Sequence, residues 1–464
     1  MSTDIGDYLG GQVHMIGIGG SSMSGLAEML KKQGYNVSGS DSSESHALEA
    51  LRNMGIDARA GHYPNMVREA DIVIYSAAIS KEDIERKEAY KLNIPQMERA
   101  VLLGQLMRGF DKRICVSGTH GKTTTCAMLA QILIESKLNP TIHVGGRMDS
   151  IGGSTRVGSK DIFLAEACEF NRSFLQMSPS IALVLNIEED HMDCFGNMEG
   201  LENAFFDFLS LLPPDGAIIA FAEDDRVMRL CGRMEQECIT FGMDIGDWTV
   251  KNLIHDEKGS PSFTALYKGK EMADISLIIG GDFNVLHALA AVACAHYLGV
   301  DLSIASKALA EFKGVHRRFE FTGEVKGMRL YHDYGHNPAE MQAAISVAKL
   351  QNRRVIAVMQ PHTYSRVINM FNDYLTCTKD ADITLVTDIY GAREVDPGNI
   401  NSQMLVDGML KNGVEAYLTP SFDDTEQFLL KYGKEGDLVL TMGCGNIDLL
   451  NEQMQINWDK SEER

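Results

Sequence analysis

The chain alternates between two hydrophobic rhythms. Short all-apolar runs, suited to strands buried on both faces, give way to stretches with apolar residues every three or four positions. The first unit predicts strands over 13–18, 35–38 and 72–75. A helix between them carries Met23, Leu26, Ala27 and Leu30 on one face, and further helices are expected over 81–92 and 98–107. A second unit begins at 114–116 and passes into a helix through Ala127, Met128, Leu129, Ile132 and Leu133. It continues with strands at 162–165, 181–187, 217–221, 249–254 and 263–267, then a helix opened by Asp282, Phe283 and Asn284. A third unit predicts strands at 329–333, 354–359, 382–387, 414–418 and 437–442 with helices between. Alternation of this kind predicts α/β architecture with doubly wound sheets. A polar, Gly-containing stretch at 107–112 and Gly314 mark the junctions. The expected domains are 1–108, 109–313 and 314–464: Rossmann-like, phosphate-loop α/β, and Rossmann-like again.

Composition narrows the function classes. With 464 residues, 44% of them hydrophobic, there is ample material for buried cores. The net charge of −21 argues against nucleic acid or an anionic membrane as partner, and an anionic substrate would need a local basic site. Nine scattered cysteines with no C-x-x-C pair fit reduced thiols and a cytoplasmic protein, either monomer or homodimer. The first residues lack a basic segment followed by an apolar one, so no signal peptide is expected, and the apolar helix at 288–300 is too short to span a bilayer.

Two glycine loops carry the strongest chemical signal. Residues 112–126, KRICVSGTHGKTTTC, combine a strand, a glycine loop, Lys-Thr and a helix start. In a phosphate loop, backbone N–H groups cradle phosphate, the lysine reaches the terminal phosphates, and a threonine hydroxyl holds Mg²⁺. Gly118, Thr119, His120, Gly121, Lys122, Thr123 and Thr124 are the candidates, although G-x-x-x-x-G-K-[ST] wants glycine where this chain has Val116. The earlier loop, Gly17, Gly19, Gly20, Ser21 and Ser22, approaches a dinucleotide fingerprint with Asp41 as the later acid. It fits any pyrophosphate, that of a nicotinamide cofactor or of a UDP-sugar.

Polar groups gather where strands end, which is where open α/β sheets bind ligands. Glu166 and Glu169 follow one central strand. Glu188, Glu189, Asp190 and His191 follow another. Glu166 and His191 suit a metal site beside a transferring phosphoryl group, whereas Glu188 and Glu189 read as a solvated helix start. Asn284 and His287 share a helix face and could read a base edge or cap the helix. Arg317 and Arg318 suit phosphate contacts or a surface salt bridge. The third unit adds Asp333, Tyr334, His336, His362 and Arg366 at neighbouring strand ends.

Together the stretches HMIGIGGSSMSGLA, GTHGKTTT, EACE, NIEEDHMD, GVHRRFE, DYGHNPAE, QPHTYSR and DIYGAREVDPG resemble the Mur ligases of peptidoglycan synthesis, in family order and across all three expected domains. Within that family the likeness is to the branch that adds L-alanine. No lysine lies between His191 and Pro213, where other branches carry a carbamoylated one. The resemblance implies ATP and Mg²⁺ as cofactors and UDP-N-acetylmuramate and L-alanine as substrates. It places the UDP-sugar at the 17–22 loop and Lys122 on the γ-phosphate. One Mg²⁺ falls to Thr123, and a second to Glu166 and His191. Asn284 and His287 are implied near adenine, and Arg318 and Asp333 reach the nucleotide. Tyr334, His336, His362 and Arg366 surround the amino acid, with Arg366 on its carboxylate. The chain departs from the family pattern at Phe283, His287, His332 and Asn337. Three readings compete: this ligase or a paralogue adding another amino acid or peptide, a nicotinamide-dependent oxidoreductase, and a nucleotide-binding regulator that has lost ligation.

Overall fold

The buried apolar runs pair into three sheets. In the computed structural model, which describes residues 4–76, 79–189, 192–256, 259–392 and 394–462, the first sheet is entirely parallel. Its strand order is Asp57–Ala60, Asn36–Asp41, Gln12–Ile16, Ile72–Tyr75, Gln96–Glu98. The order reverses beside Gln12–Ile16, so the glycine loop that follows this strand lies at the switch point of a doubly wound sheet. That strand stops at Ile16, short of the expected 18, because Gly17 turns the chain with φ +76°.

The second sheet has ten strands, with Lys112–Ser117 between Ile181–Val184 and Ile162–Glu166, parallel to both. Its core pattern is the apolar one read from the sequence: Ile114, Cys115, Val116, Leu164 and Leu183 are all fully buried. The helix Lys122–Glu135 packs over it with Ala127, Met128, Leu129, Ile132 and Leu133 buried.

The 107–112 stretch is only partly a polar linker. Met107 and Phe110 are buried in one hydrophobic cluster that runs from the first sheet into the second. The Phe110 ring meets Phe163 edge-on at 4.9 Å, and Gly104 packs so closely on the backbone of Gln176 that a Cβ there would lie 1.7 Å from its carbonyl oxygen. The first two sheets thus belong to one compact unit, formed by residues 1–254, 261–278 and 282–313.

The other unit comprises residues 255–260, 279–281 and 314–464. Its six-stranded sheet runs Glu320–Val325, Met328–Asp333, Leu438–Met442, Val355–Met359, Ile383–Val386, Ala416–Leu418. It is antiparallel at the first pair and parallel thereafter. Met328–Asp333 and Val355–Met359 flank Leu438–Met442, so the segments 333–338 and 360–366 emerge from the same end of the sheet.

Candidate active site

The phosphate loop is set by its glycines and by the neighbouring strand end. Gly118 (φ +138°) and Gly121 (φ +82°) hold conformations that side chains resist, and Gly121 begins the helix with no side-chain cap, leaving its first N–H groups free of one. A Cβ on Gly118 would lie 3.0 Å from that of Leu185, and one on Gly121 would lie 2.1 Å from His287 Nε2. Segment 185–188 supports the loop. Thr119 N donates to Asn186 O at 3.1 Å, His120 N to Asn186 Oδ1 at 2.8 Å, and Glu188 N to Thr119 Oγ1 at 2.9 Å. Ile187 N is held in turn by Asp224 Oδ2 at 2.9 Å.

Lys122 folds back across the loop. Its Nζ donates to Gly118 O (2.6 Å) and Thr119 O (2.8 Å) and lies 2.9 Å from Glu169 Oε2. Burial works against the charge, but Glu169 and the neighbouring Cys168 and Glu166 outweigh it and hold the lysine above its ordinary pKa. Lys122 is therefore a fixed cation. Glu169 is almost fully buried, and its Oε2, though ion-paired with Lys122, accepts no directed hydrogen bond among the described residues. The sequence pattern assigns Glu169 no separate role, although the EACE stretch contains it.

Glu166 stands level with Val116 in the sheet, one residue before the loop's Ser117. The Gly145 N–H donates to Glu166 Oε1 at 2.7 Å and fixes its direction. Thr123 is buried in the first helical turn and Thr124 is half-buried. The hydroxyl of Thr123 and the carboxylate of Glu166 are hard oxygen donors of the kind Mg²⁺ selects. These residues fit a magnesium ion. His191, the remaining expected ligand, lies outside the described residues.

His287 and Asn284 are both buried on the helix Asp282–Tyr297. Asn284 Oδ1 lies 3.2 Å from His287 Nδ1, and burial drives the His287 pKa down to about 4. The ring is neutral and buttresses Gly121 from behind. At the first glycine loop, Gly19 N donates to Asp41 Oδ2 at 2.9 Å, so the acid of the fingerprint braces the loop itself. Gly20 precedes the helix Ser21–Lys32, again without a side-chain cap.

In the second unit, Asp333 ends its strand and accepts from Phe319 N (2.8 Å) and Gly335 N (2.7 Å). Burial raises its pKa against the pull of Arg318. Both Arg317 (φ +64°) and Phe319 (φ +43°) are strained. Arg317, open in sequence to a phosphate contact or a salt bridge, forms the second, 3.4 Å from Asp448 Oδ1, and is tied further into the fold. Its guanidinium bonds His332 Nε2 at 3.1 Å and Gly445 O at 2.8 Å, and its charge lies 5.0 Å from the Tyr334 ring centre. The Tyr334 and His336 rings lie 5.7 Å apart, His336 and His362 6.0 Å. His362 stacks on Tyr390 at 5.7 Å. Arg366 NH1 lies 3.0 Å from His362 Nδ1. A guanidinium only donates, so His362 Nδ1 accepts and its proton sits on Nε2. Burial and Arg366 together lower the His362 pKa to about 4, and burial also lowers that of His336. The group is two neutral imidazoles and one half-buried cation whose side chain hydrogen-bonds only His362 among the described residues. Such a cation suits a carboxylate.

Two departures from the family pattern have structural roles. His332 is buried between Arg317 and Thr441, with its pKa lowered to about 3. Asn337 caps the helix Pro338–Leu350 in a reciprocal capping box with Glu340.

Three family models match the chain in succession. Residues 12–111 match the Mur ligase family catalytic domain, 116–295 the Mur ligase middle domain, and 317–445 the Mur ligase glutamate ligase domain. The UDP-N-acetylmuramate–L-alanine ligase of Caldanaerobacter subterraneus subsp. tengcongensis is 41% identical over 444 residues, covering 95% of this chain and 96% of that protein. The chain belongs to the Mur ligase family. The ligase of the same name from Clostridium novyi is 42% identical over 442 residues, covering 95% of this chain and 96% of that one. Among solved structures of the family, the UDP-N-acetylmuramate-alanine ligase of Thermotoga maritima superposes with a TM-score of 0.83 at 27% identity, covering 97% of this chain and all (100%) of that one. The murein peptide ligase of Psychrobacter arcticus shares the fold, with a TM-score of 0.73 at 22% identity over 96% of this chain and 98% of that one. Among the described residues no helix is long and apolar enough to cross a membrane.

Proposed function

We propose that this chain is an ATP-dependent ligase that joins L-alanine to the lactyl carboxylate of UDP-N-acetylmuramate, releasing ADP and phosphate. The observation that carries the reading is full-length similarity, near 41% identity over 95% of the chain, to ligases of that name. The phosphate loop and Glu166 fit the same reading.

A carboxylate does not react with an amine at neutral pH, so it must first gain a leaving group. In this reading the lactyl carboxylate attacks the γ-phosphorus and becomes an acyl phosphate. The amine of L-alanine then attacks the carbonyl carbon, and phosphate departs. Such a transfer needs positioning and charge neutralisation above all. Lys122, already fixed over the loop, meets the γ-phosphate, while loop N–H groups and the helix N-terminus hold the remaining oxygens. Thr123 would hold one Mg²⁺ and Glu166, with His191, a second; when bound, these ions would neutralise phosphate charge. Arg366 takes the carboxylate of the amino acid. His336 and His362, neutral at physiological pH, border it without adding charge. Asn284, on the helix whose His287 meets Gly121, is read as the adenine contact, with Arg318 and Asp333 as further nucleotide contacts. The 17–22 loop holds the UDP-sugar.

The test is ADP formation with UDP-N-acetylmuramate and a panel of amino acids, with the product identified by mass. L-Alanine should support the fastest turnover. Turnover with a peptide alone would favour the paralogue, and ATP binding without turnover on any amine would favour a regulator.

A further inference from the structure

The first glycine loop is tied to the ten-stranded sheet by a chain of side-chain hydrogen bonds. Arg99, the first residue of the helix Arg99–Met107, donates to Ser22 Oγ at 2.9 Å. Ser22 Oγ lies 2.7 Å from His143 Nε2, and His143 Nδ1 lies 3.0 Å from Thr155 Oγ1. Alongside, Ser154 Oγ donates to Ser21 O at 3.0 Å. His143 is buried, and that burial, helped by the charge of Arg99, lowers its pKa to about 3, so the ring carries a single N–H. Arg99 can only donate, so Ser22 Oγ accepts from it and keeps a second lone pair and its own proton for His143 Nε2. The single His143 proton faces one of the two hydroxyls, and the other hydroxyl donates to the remaining ring nitrogen. Two residues beyond His143 on the same strand, Gly145 N holds Glu166.

Arg99 is oddly placed for a structural residue. A cation in the first turn of a helix opposes the helix dipole. Ser22 is the only hydrogen-bond partner of its side chain among the described residues. In a chain of net charge −21, a half-buried guanidinium facing a glycine loop is the local basic group that a diphosphate needs. Resting on the ligase reading above, we propose that Arg99 and His143 complete the UDP-sugar site. Arg99 supplies the cationic contact to the diphosphate. His143, through Ser22, is a positioning residue that fixes the loop against the strand orienting Glu166.

The test uses the full-length enzyme with Arg99→Met, His143→Leu and His143→Gln. It combines calorimetric binding of UDP-N-acetylmuramate without ATP, KM for each substrate and for Mg²⁺, and thermal melting. Arg99→Met should weaken UDP-N-acetylmuramate by about ten- to hundredfold, the scale of a charge-assisted contact, and leave binding of a non-hydrolysable ATP analogue unchanged. His143→Leu should raise KM for UDP-N-acetylmuramate and for Mg²⁺ but not for L-alanine. His143→Gln, whose amide can still bond Ser22, should recover most of the loss. Wild-type binding by Arg99→Met overturns the proposal. So does a His143→Leu variant in which every KM rises together with a fall in melting temperature and Gln rescues nothing. If the unmodified enzyme itself fails to bind UDP-N-acetylmuramate, the ligase reading falls, an outcome separate from either of these.

Discussion

Lys122 shows how one side chain can be legible in sequence while its surroundings are not. The Gly-Lys-Thr grammar marks the lysine from sequence alone. The two carbonyls and the carboxylate that hold it, from Gly118, Thr119 and Glu169, come together only in the fold. Asn186 opens the NIEEDHMD stretch but has no role assigned from sequence, and Asp224, which supports the loop from the next strand, carries no local motif that could mark it. The buried His287 has two sequence readings. Its position against Gly121 adds a third role, as a wedge under the loop, because packing between two helices distant in sequence leaves no trace in spacing. Lys122→Ala should abolish turnover and leave calorimetric binding of UDP-N-acetylmuramate largely intact, because the 17–22 loop is built from a different sheet. Equal loss of both in a folded variant would contradict this.

At the level of elements, long apolar strands are legible in the sequence and short or glycine-broken ones are not. Asp57–Ala60 and Gln96–Glu98 are brief flanking strands with few β-branched residues, and Thr141–Met148 is interrupted by Gly145 and Gly146. Their pairing comes from neighbours rather than propensity. The strand that carries His143 and positions Glu166 is therefore hidden from the hydrophobic pattern. Turn chemistry at the loops can be tested directly. Gly121→Ala should abolish binding of a fluorescent ATP analogue, because the methyl group meets His287. Gly152→Ala has a comparable φ of +67° with no heavy atom within 4 Å, and should bind the analogue normally. Similar binding by the two variants would remove the steric argument. Asn337→Ala removes a capping box and should cost about 0.5–2 kcal/mol in urea denaturation. No loss would show that the cap carries no stability.

Across the whole molecule, buried neutral histidines couple stability to acid. His143 and His332 titrate at about 3 and His287 at about 4, all below the ordinary histidine value of 6.5. In the unfolded chain they bind protons from about pH 6.5 downward, so protonation favours unfolding. The stability they contribute is complete above that pH and is lost as pH falls towards about 4 for His287 and about 3 for His143 and His332. The slope is on the order of 1 kcal/mol per pH unit for each ring. Urea midpoints should be level from about pH 7.5 to about 6.5 and fall from there to about pH 5, and His332→Gln should flatten that fall. A flat profile in the unmodified protein would refute the coupling.

The three-sheet α/β plan is legible because the short apolar runs at 114–116, 181–184, 355–359 and 438–442 are buried strands. The junction at 107–112 is less so, because Met107 and Phe110 serve a core continuous between two sheets. All of this structure serves one chemical claim, that the phosphate loop activates a carboxylate. Isotope transfer tests it most directly. UDP-N-acetylmuramate labelled with ¹⁸O in both lactyl carboxylate oxygens is turned over with ATP and L-alanine, and the released phosphate is read by ³¹P NMR. Passage through an acyl phosphate predicts one labelled oxygen in each phosphate and the other in the new amide. Unlabelled phosphate accompanying amide formation would contradict the account.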